Sequence, residues 1–178
     1  TPKRNGGRPF VETPSLVMVE KNRVVDGVRL QMNHNGYQKS HGLMHARTLD
    51  LPVDSRGLVG EDELYAPDRK DMHLLEAAQG KSDAPLNFSI RFHLHPEVTP
   101  NLEADPASVS LTLATGDIWV FRCQPNIKLI LDESIYFEDG RQFPRPSQQI
   151  VLTGTIKEIT TRVRWSLVKA SENPQKAP

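Results

Sequence analysis

Arg91, His93 and His95 stand at every second position of the stretch Leu86–Pro96, LNFSIRFHLHP. Leu86, Phe88, Ile90, Phe92 and Leu94 fill the positions between and around them. A strict period of two is that of a β-strand with one polar and one apolar face. At a rise of ~3.3 Å per residue, neighbours on one face stand roughly 6–7 Å apart. A guanidinium followed by two imidazoles can bind an anion, hold a metal or move a proton. A second pair, His45 and Arg47, lies in line with Leu43, Leu49 and Leu51. If both strands share one sheet, a basic, imidazole-rich strip results. The alternative is a solvated sheet face on which the histidines hydrogen-bond cross-strand partners.

Other candidate groups are weaker. His93 and His95 could chelate zinc from a strand, but zinc takes three or four ligands. The third would come from His41, His45 or an acid in Glu61–Glu63, and spacing does not supply it. Tyr37, after the turn residue Gly36, reads as a catalytic phenol or as a packed ring with a wet hydroxyl. Gly60-Glu61-Asp62 reads as a cation site or as an acidic turn. Trp119 and Trp165 alternate with apolar residues and belong in the core, and Cys123 reads as a half-buried strand residue. The chain has neither a glycine-rich phosphate loop nor a nucleophile elbow.

The elements that position these residues read as short strands almost throughout. They cover Ser15–Glu20, a hairpin about Asp26-Gly27, His41–Leu51, Gly57–Val59, Leu86–His95, Val109–Leu113, Ile118–Phe121, Ile127–Leu131, Ser134–Phe137, Gln148–Thr155 and Thr161–Val168. Asn33–Gly36 reads as a turn, and Pro96–Pro106 as a loop. Tyr65–Pro85 reads as a long surface loop with a short helix at Met72–Gln79. Many short strands separated by turn residues predict an all-β antiparallel sandwich of two packed sheets, with little helix. Residues 14–169 form that domain, 1–13 a linker-like segment and 170–178 a flexible tail.

The 178 residues suffice for one domain with a sizeable core. Twenty-two basic and 22 acidic side chains give zero net charge, which argues against a general nucleic-acid or membrane-surface binder. One cysteine excludes a disulfide framework. No apolar run approaches the ~18 residues that span a bilayer. The chain opens on Thr1, in TPKRNGGRP, and reads as a piece of something longer whose targeting signals lie elsewhere.

An ordered set of blocks resembles bacterial heparinase II/III-like proteins. The blocks are His34–Tyr37, Gly42–Leu49, Leu58–Asp62, Ile90–Pro96, Asp117–Phe121, Glu133–Phe137, Gln149–Gly154 and Val163–Trp165. They cover about Pro14 to Leu167, within the usual few residues at each boundary. The resemblance implies the C-terminal β-sandwich of a polysaccharide lyase. In such proteins an N-terminal (α/α) toroid supplies the Tyr and the Asn or His that drive β-elimination of an acidic polysaccharide. The sandwich closes the cleft and contributes a His and a metal site. The early His block that carries the catalytic His and first metal ligands is absent from this chain. His45 matches the remaining metal-ligand histidine, which implies a divalent metal such as zinc in the full-length protein. Arg47, Arg91, His93 and His95 are the candidate contacts to an acidic polysaccharide, and no catalytic residue is assigned. The expectation is a cleft-lining domain, inactive alone, from a periplasmic or cytoplasmic bacterial protein. The rival readings are a non-catalytic carbohydrate-binding module and a structural or interaction domain.

Overall fold

Alternating apolar positions make the strands, and glycines decide two of the turns. The computed structural model describes residues 13–80 and 85–170. Apart from Thr13 and Ala170, the expected linker-like segment and tail lie outside the described residues. Strands β1 (Val17–Val24) and β2 (Gly27–Tyr37) form the hairpin expected at Asp26-Gly27, with Val24 paired to Gly27. Gly27 is required there, because a Cβ would lie 2.0 Å from the Leu51 carbonyl oxygen. Then follow α1 (Gln38–His41), β3 (Leu43–Pro52), β4 (Gly57–Tyr65), α2 (Arg69–Gly80), β5 (Asn87–His93), β6 (Thr99–Leu102) and β7 (Ser108–Thr112). The chain ends with β8 (Ile118–Cys123), β9 (Lys128–Tyr136), β10 (Arg145–Thr155) and β11 (Thr160–Lys169).

The strands form two antiparallel sheets, as the alternation predicts. The larger has the order β1-β2-β3-β4-β11-β8-β7-β6, and the smaller β5-β10-β9. The core lies between them. Ile150 and Leu152 from the small sheet meet Val109 and Val163 from the large one, all at most 2% exposed. Phe92 of β5 sits edge-on to Trp165 at 4.7 Å and tilted to Phe121 at 5.0 Å. Phe88 is buried, while Ile90, Phe92 and Leu94 are partly buried against the same core. Each such side chain contributes about 1.5–3 kcal/mol when fully buried.

Several expectations are corrected. The helix expected at Met72–Gln79 is present but longer, as the twelve-residue α2 within Tyr65–Pro85. Asp68 caps it by accepting the Asp71 N–H at 2.9 Å, and Leu75 at 2% exposure anchors it to the core. Asn33–Gly36 is not a turn: β2 runs on to Tyr37 through a bulge. The reversal is made by α1 and by Gly42, whose φ of +67° is left-handed and whose Cβ would lie 2.1 Å from the Asp71 carbonyl oxygen. Glu61-Asp62-Glu63 lies inside β4 rather than in an acidic turn. The loop Pro96–Pro106 holds β6, and the two short strands after Asn126 are one, β9. Finally, β3 and β5 belong to different sheets, so His45 and Arg47 form no single-sheet strip with Arg91, His93 and His95.

Candidate functional site

Register brings four strands' polar residues together on the inner face of the large sheet. His34 of β2 pairs with His45 of β3, and Arg47 of β3 pairs with Asp62 of β4. Trp165 of β11 pairs with Gly60, two residues before Asp62. Gly60 is open for a reason: a Cβ there would stand 2.2 Å from the indole ring. The indole therefore lies across β4, and its Nε1–H donates to Asp62 Oδ2 at 2.8 Å.

Asp62 is 1% exposed and accepts four hydrogen bonds. His45 Nε2 (2.7 Å) and Arg47 Nε (2.8 Å) reach Oδ1. Arg47 Nη2 (3.1 Å) joins Trp165 on Oδ2. Burial pushes this carboxyl's pKa up, but the bonds from His45 and Arg47, the Arg47 charge and the Trp165 bond outweigh it and hold it below the usual carboxylate value. The Arg47 guanidinium also lies over the rings of Phe92 (5.2 Å) and Trp165 (5.7 Å).

The hydrogen-bond directions follow from one backbone group. The Gly36 N–H donates to His34 Nδ1 at 3.1 Å, so neutral His34 carries its proton on Nε2. That proton is donated to His45 Nδ1 at 3.1 Å, which leaves the His45 proton on Nε2, aimed at Asp62. Burial, then the neighbouring His45, lowers the His34 pKa and keeps it neutral. The chain of bonds is closed: both nitrogens of both imidazoles are engaged.

Two consequences bear on chemistry. Asp62, with four donors on a carboxylate held ionised, is a structural anion rather than a general base. His45, matched above to a metal ligand, has no lone pair free, and Asp62 has none to spare. Among the described residues no group of three or more His, Cys, Asp or Glu is placed to hold a metal ion. The donor set as folded does not fit a metal.

The network forms the floor of an open groove of about 390 Å³. One wall is the edge of β5, from Leu86 to Arg91; Tyr37 and His41, set by the α1 reversal, stand at the other side. The Leu94 N–H bonds the Gln148 carbonyl and the Ile156 N–H bonds the Leu86 carbonyl. The even-numbered residues of β5 therefore exchange bonds with β10. The odd-numbered ones, Asn87, Ser89 and Arg91, turn their backbone N–H and C=O groups toward the groove. Among the described residues that line the groove, Asp62 is the one carboxylate, against Arg47, Arg91 and three histidines.

The four residues expected at a polysaccharide surface are thus divided. Arg47 is in the groove but commits two nitrogens to Asp62. Arg91 lines the groove edge and reaches Asp132 at 3.5 Å. His93 and His95 are exposed outside the groove, where His93 Nδ1 meets Ser134 Oγ at 2.7 Å and His95 stands edge-on to Tyr136 at 4.8 Å. Sequence reasoning missed Asp62, Trp165 and His34 as one unit. The available signal was an acid two residues from a glycine inside a run of strand residues.

The sequence matches the family described as Heparinase II/III-like, C-terminal, over residues 8–166. It is 32% identical over 164 residues to FtsZ-localized protein C of Caulobacter vibrioides (strain NA1000 / CB15N), covering 90% of this chain and 27% of that protein. The fold is similar to that of the heparan sulfate lyase HepC from Pedobacter heparinus, with a TM-score of 0.64 at 14% identity over 91% of this chain and 22% of that one. A heparinase III structure is similar at TM-score 0.61 and 14% identity, over 90% of this chain and 22% of that one. The chain thus spans about a quarter of the length of the relatives it matches. With its two antiparallel sheets and its match from end to end of the sandwich, this chain belongs to the heparinase II/III-like family, as its C-terminal domain.

Proposed function

We propose that this domain lines the cleft for an acidic polysaccharide and does no chemistry by itself. The observation that carries this reading is the groove's charge. Among the described lining residues the sole carboxylate is saturated from within, while Arg91, His41, Tyr37 and Arg47 line the open groove. The outward backbone groups of Asn87, Ser89 and Arg91 add a row of donors and acceptors suited to sugar hydroxyls. β-Elimination removes the C5 proton of a uronate and expels the C4 oxygen. Cationic groups beside the uronate carboxylate ease the first step. Arg91 and Arg47 fill that role here, with His93 and His95 meeting a polymer that runs past the outer edge of β5. The proton-moving Tyr and Asn or His belong to the toroid domain of such lyases, and the two inner histidines of the groove, His34 and His45, are spent on each other and on Asp62.

Titration calorimetry with heparin and alginate oligosaccharides tests the binding. The expected result is an affinity that falls about tenfold or more between low and moderate salt, because the contacts are between partly exposed charges. Arg91→Ala should weaken it, and no unsaturated uronate absorbance should appear. Absence of binding overturns the reading; turnover by this chain alone overturns its second clause.

A second reading has one observation behind it: the 32%-identical relative is named for localising with FtsZ. On this reading the domain is a non-catalytic interaction or carbohydrate-binding module. Direct binding of FtsZ, undiminished by Arg91→Ala, would favour it.

A further inference from the structure

The large sheet is wider than the small one, and its inner face stays apolar where the small sheet does not reach. Register places Val17 and Val19 of β1, Val28, Leu30 and Met32 of β2, and Leu49 and Leu51 of β3 on that face, beside His34, His45 and Arg47. The packed core takes in Leu49 and goes no further toward β1. Val17 and Val19 are each 65% exposed and Leu51 45%. The opposite face of the same strands is mostly polar, with Glu20, Asn22, Gln31, Asn33, Thr48 and the bidentate Arg29–Asp50 pair at 2.7 and 2.9 Å, and Met18 and Val24 as its exposed apolar members. A sheet that faced water on both sides would be polar on both. Lys21 and Arg23 border the patch at the hairpin end, giving it the polar rim of an interface.

We infer that this shelf, Val17, Val19, Leu30, Met32 and Leu51, is the seat of the domain that precedes the sandwich in the full-length protein. Three observations select that occupant. The family is a C-terminal one, and the sandwich makes up 27% of the longer relative, so most of such a protein lies upstream. The polypeptide enters the fold beside the shelf, where the Ser15 and Leu16 N–H groups are both held by Asn35 Oδ1 at 3.0 Å. The shelf also runs directly into the groove floor through Met32, His34 and Arg47. A domain seated on it raises the missing wall opposite β5 and turns an open groove into a cleft. The inference rests on the reading that an upstream domain faces this one, but it does not need a polysaccharide to bind.

A second copy of the chain is a poorer fit. Antiparallel pairing of two β1 edges that keeps both faces in phase and uses the whole strand sets Glu20 against Glu20 or Lys21 against Lys21.

Maleimide labelling tests the seat. Val19→Cys and, as a control on β9, the edge strand of the small sheet away from the groove, Ile135→Cys are each placed in the full-length protein and in the 178-residue chain; both sites are more than half exposed, and native Cys123 is buried. Val19→Cys should label at least tenfold more slowly in the full-length protein, with Ile135→Cys unchanged. Equal rates at Val19→Cys, or protection at Ile135→Cys instead, overturn the inference. So does protection in the chain alone accompanied by a dimer in sedimentation, which assigns the shelf to a second copy, or by vesicle binding, which assigns it to a lipid surface. Because no glycan is present, failure of polysaccharide binding and failure of this seat are read separately.

Discussion

Two groups of cationic and imidazole side chains stand on the two sheets, and they differ in what their neighbours do. On the inner face of the large sheet, His34, His45 and Arg47 converge on one buried carboxylate and leave no nitrogen of either histidine free. Along β5 and just past its end, Arg91, His93 and His95 each meet a separate partner on β9: Asp132, Ser134 and Tyr136. The first arrangement is cooperative, because Asp62 is held by four donors from the two strands neighbouring its own and each donor is oriented by the others. The second is a row of independent surface pairs. Similar residue types therefore make a keystone in one place and an adaptable surface in the other, and burial of a single carboxylate is what divides them.

The largest expected difference between the two comes from removing their carboxylates. Asp62→Ala strips the partner from Arg47, His45 and Trp165 at once, inside the sandwich. Breaking a buried ion pair from one side costs about 3–5 kcal/mol. Asp132→Ala removes an exposed partner of Arg91, at 46% and 50% side-chain exposure, and should change stability by less than ~1 kcal/mol. Urea denaturation of both variants measures the contrast. Equal losses would mean that the inner network is no keystone.

That contrast also shows what could be read in the sequence. Strand alternation and turn residues gave the sandwich, the β1–β2 hairpin and the apolar face of β5, because those depend on neighbours in the chain. The outer row was visible for the same reason, since Arg91, His93 and His95 alternate along one short stretch of chain, β5 and the two residues after it. The inner network was hidden because its members come from β2, β3, β4 and β11, and only register unites them. Asp62 looked like part of an acidic turn because Glu61 and Glu63 flank it; in the strand they point outward to Arg164 and Arg162. α2 was legible only in part, as Met72–Gln79, for another reason. Its polar face dominates the composition, and its burial rests on few residues, Leu75 above all.

A smaller effect tests whether the network needs its geometry or only its charges. Gly60→Ala leaves every charge in place but drives a methyl group into the Trp165 ring. The ring is stacked on Phe121 at 5.7 Å and edged by Phe92, so it has little room to yield. Overpacking of this kind costs about 1–3 kcal/mol. The indole should tilt away from Asp62, and tryptophan fluorescence should report it. An unchanged spectrum with unchanged stability would show that the indole bond is dispensable.

Next in size is the response to pH. His34 has a folded pKa below its unfolded value of 6.5, so the unfolded chain binds the proton first. Its contribution to stability is present above about 6.5 and is lost as pH falls toward the folded value. Asp62 has a depressed folded pKa, so its contribution is present above the ordinary carboxylate range near 3.8 and is lost as pH falls through the folded value. Stability should therefore decline in two limbs on acidification, one beginning near neutrality and one below about pH 4. His34→Gln should flatten the upper limb alone. If it flattens neither, the neutral His34–His45 relay is not what the upper limb reads.

The smallest expected effect belongs to the feature most conspicuous in the sequence. His93→Ala and His95→Ala remove exposed rings whose partners, Ser134 and Tyr136, keep access to water once the ring is gone. No buried donor or acceptor is orphaned, so each change should stay within ~0.5 kcal/mol of the parent. Their effect on glycan affinity separates two paths for the polymer. A chain confined to the groove passes Arg91 and loses nothing at His93 or His95, whereas a chain that runs on past the edge of β5 loses affinity at all three. A graded loss, largest at Arg91 and smallest at His95, would trace the polymer out of the groove along the strand. A loss at His95 alone would place it across the face of the small sheet, away from the Asp62 network, and the groove would then be the wrong surface for the glycan.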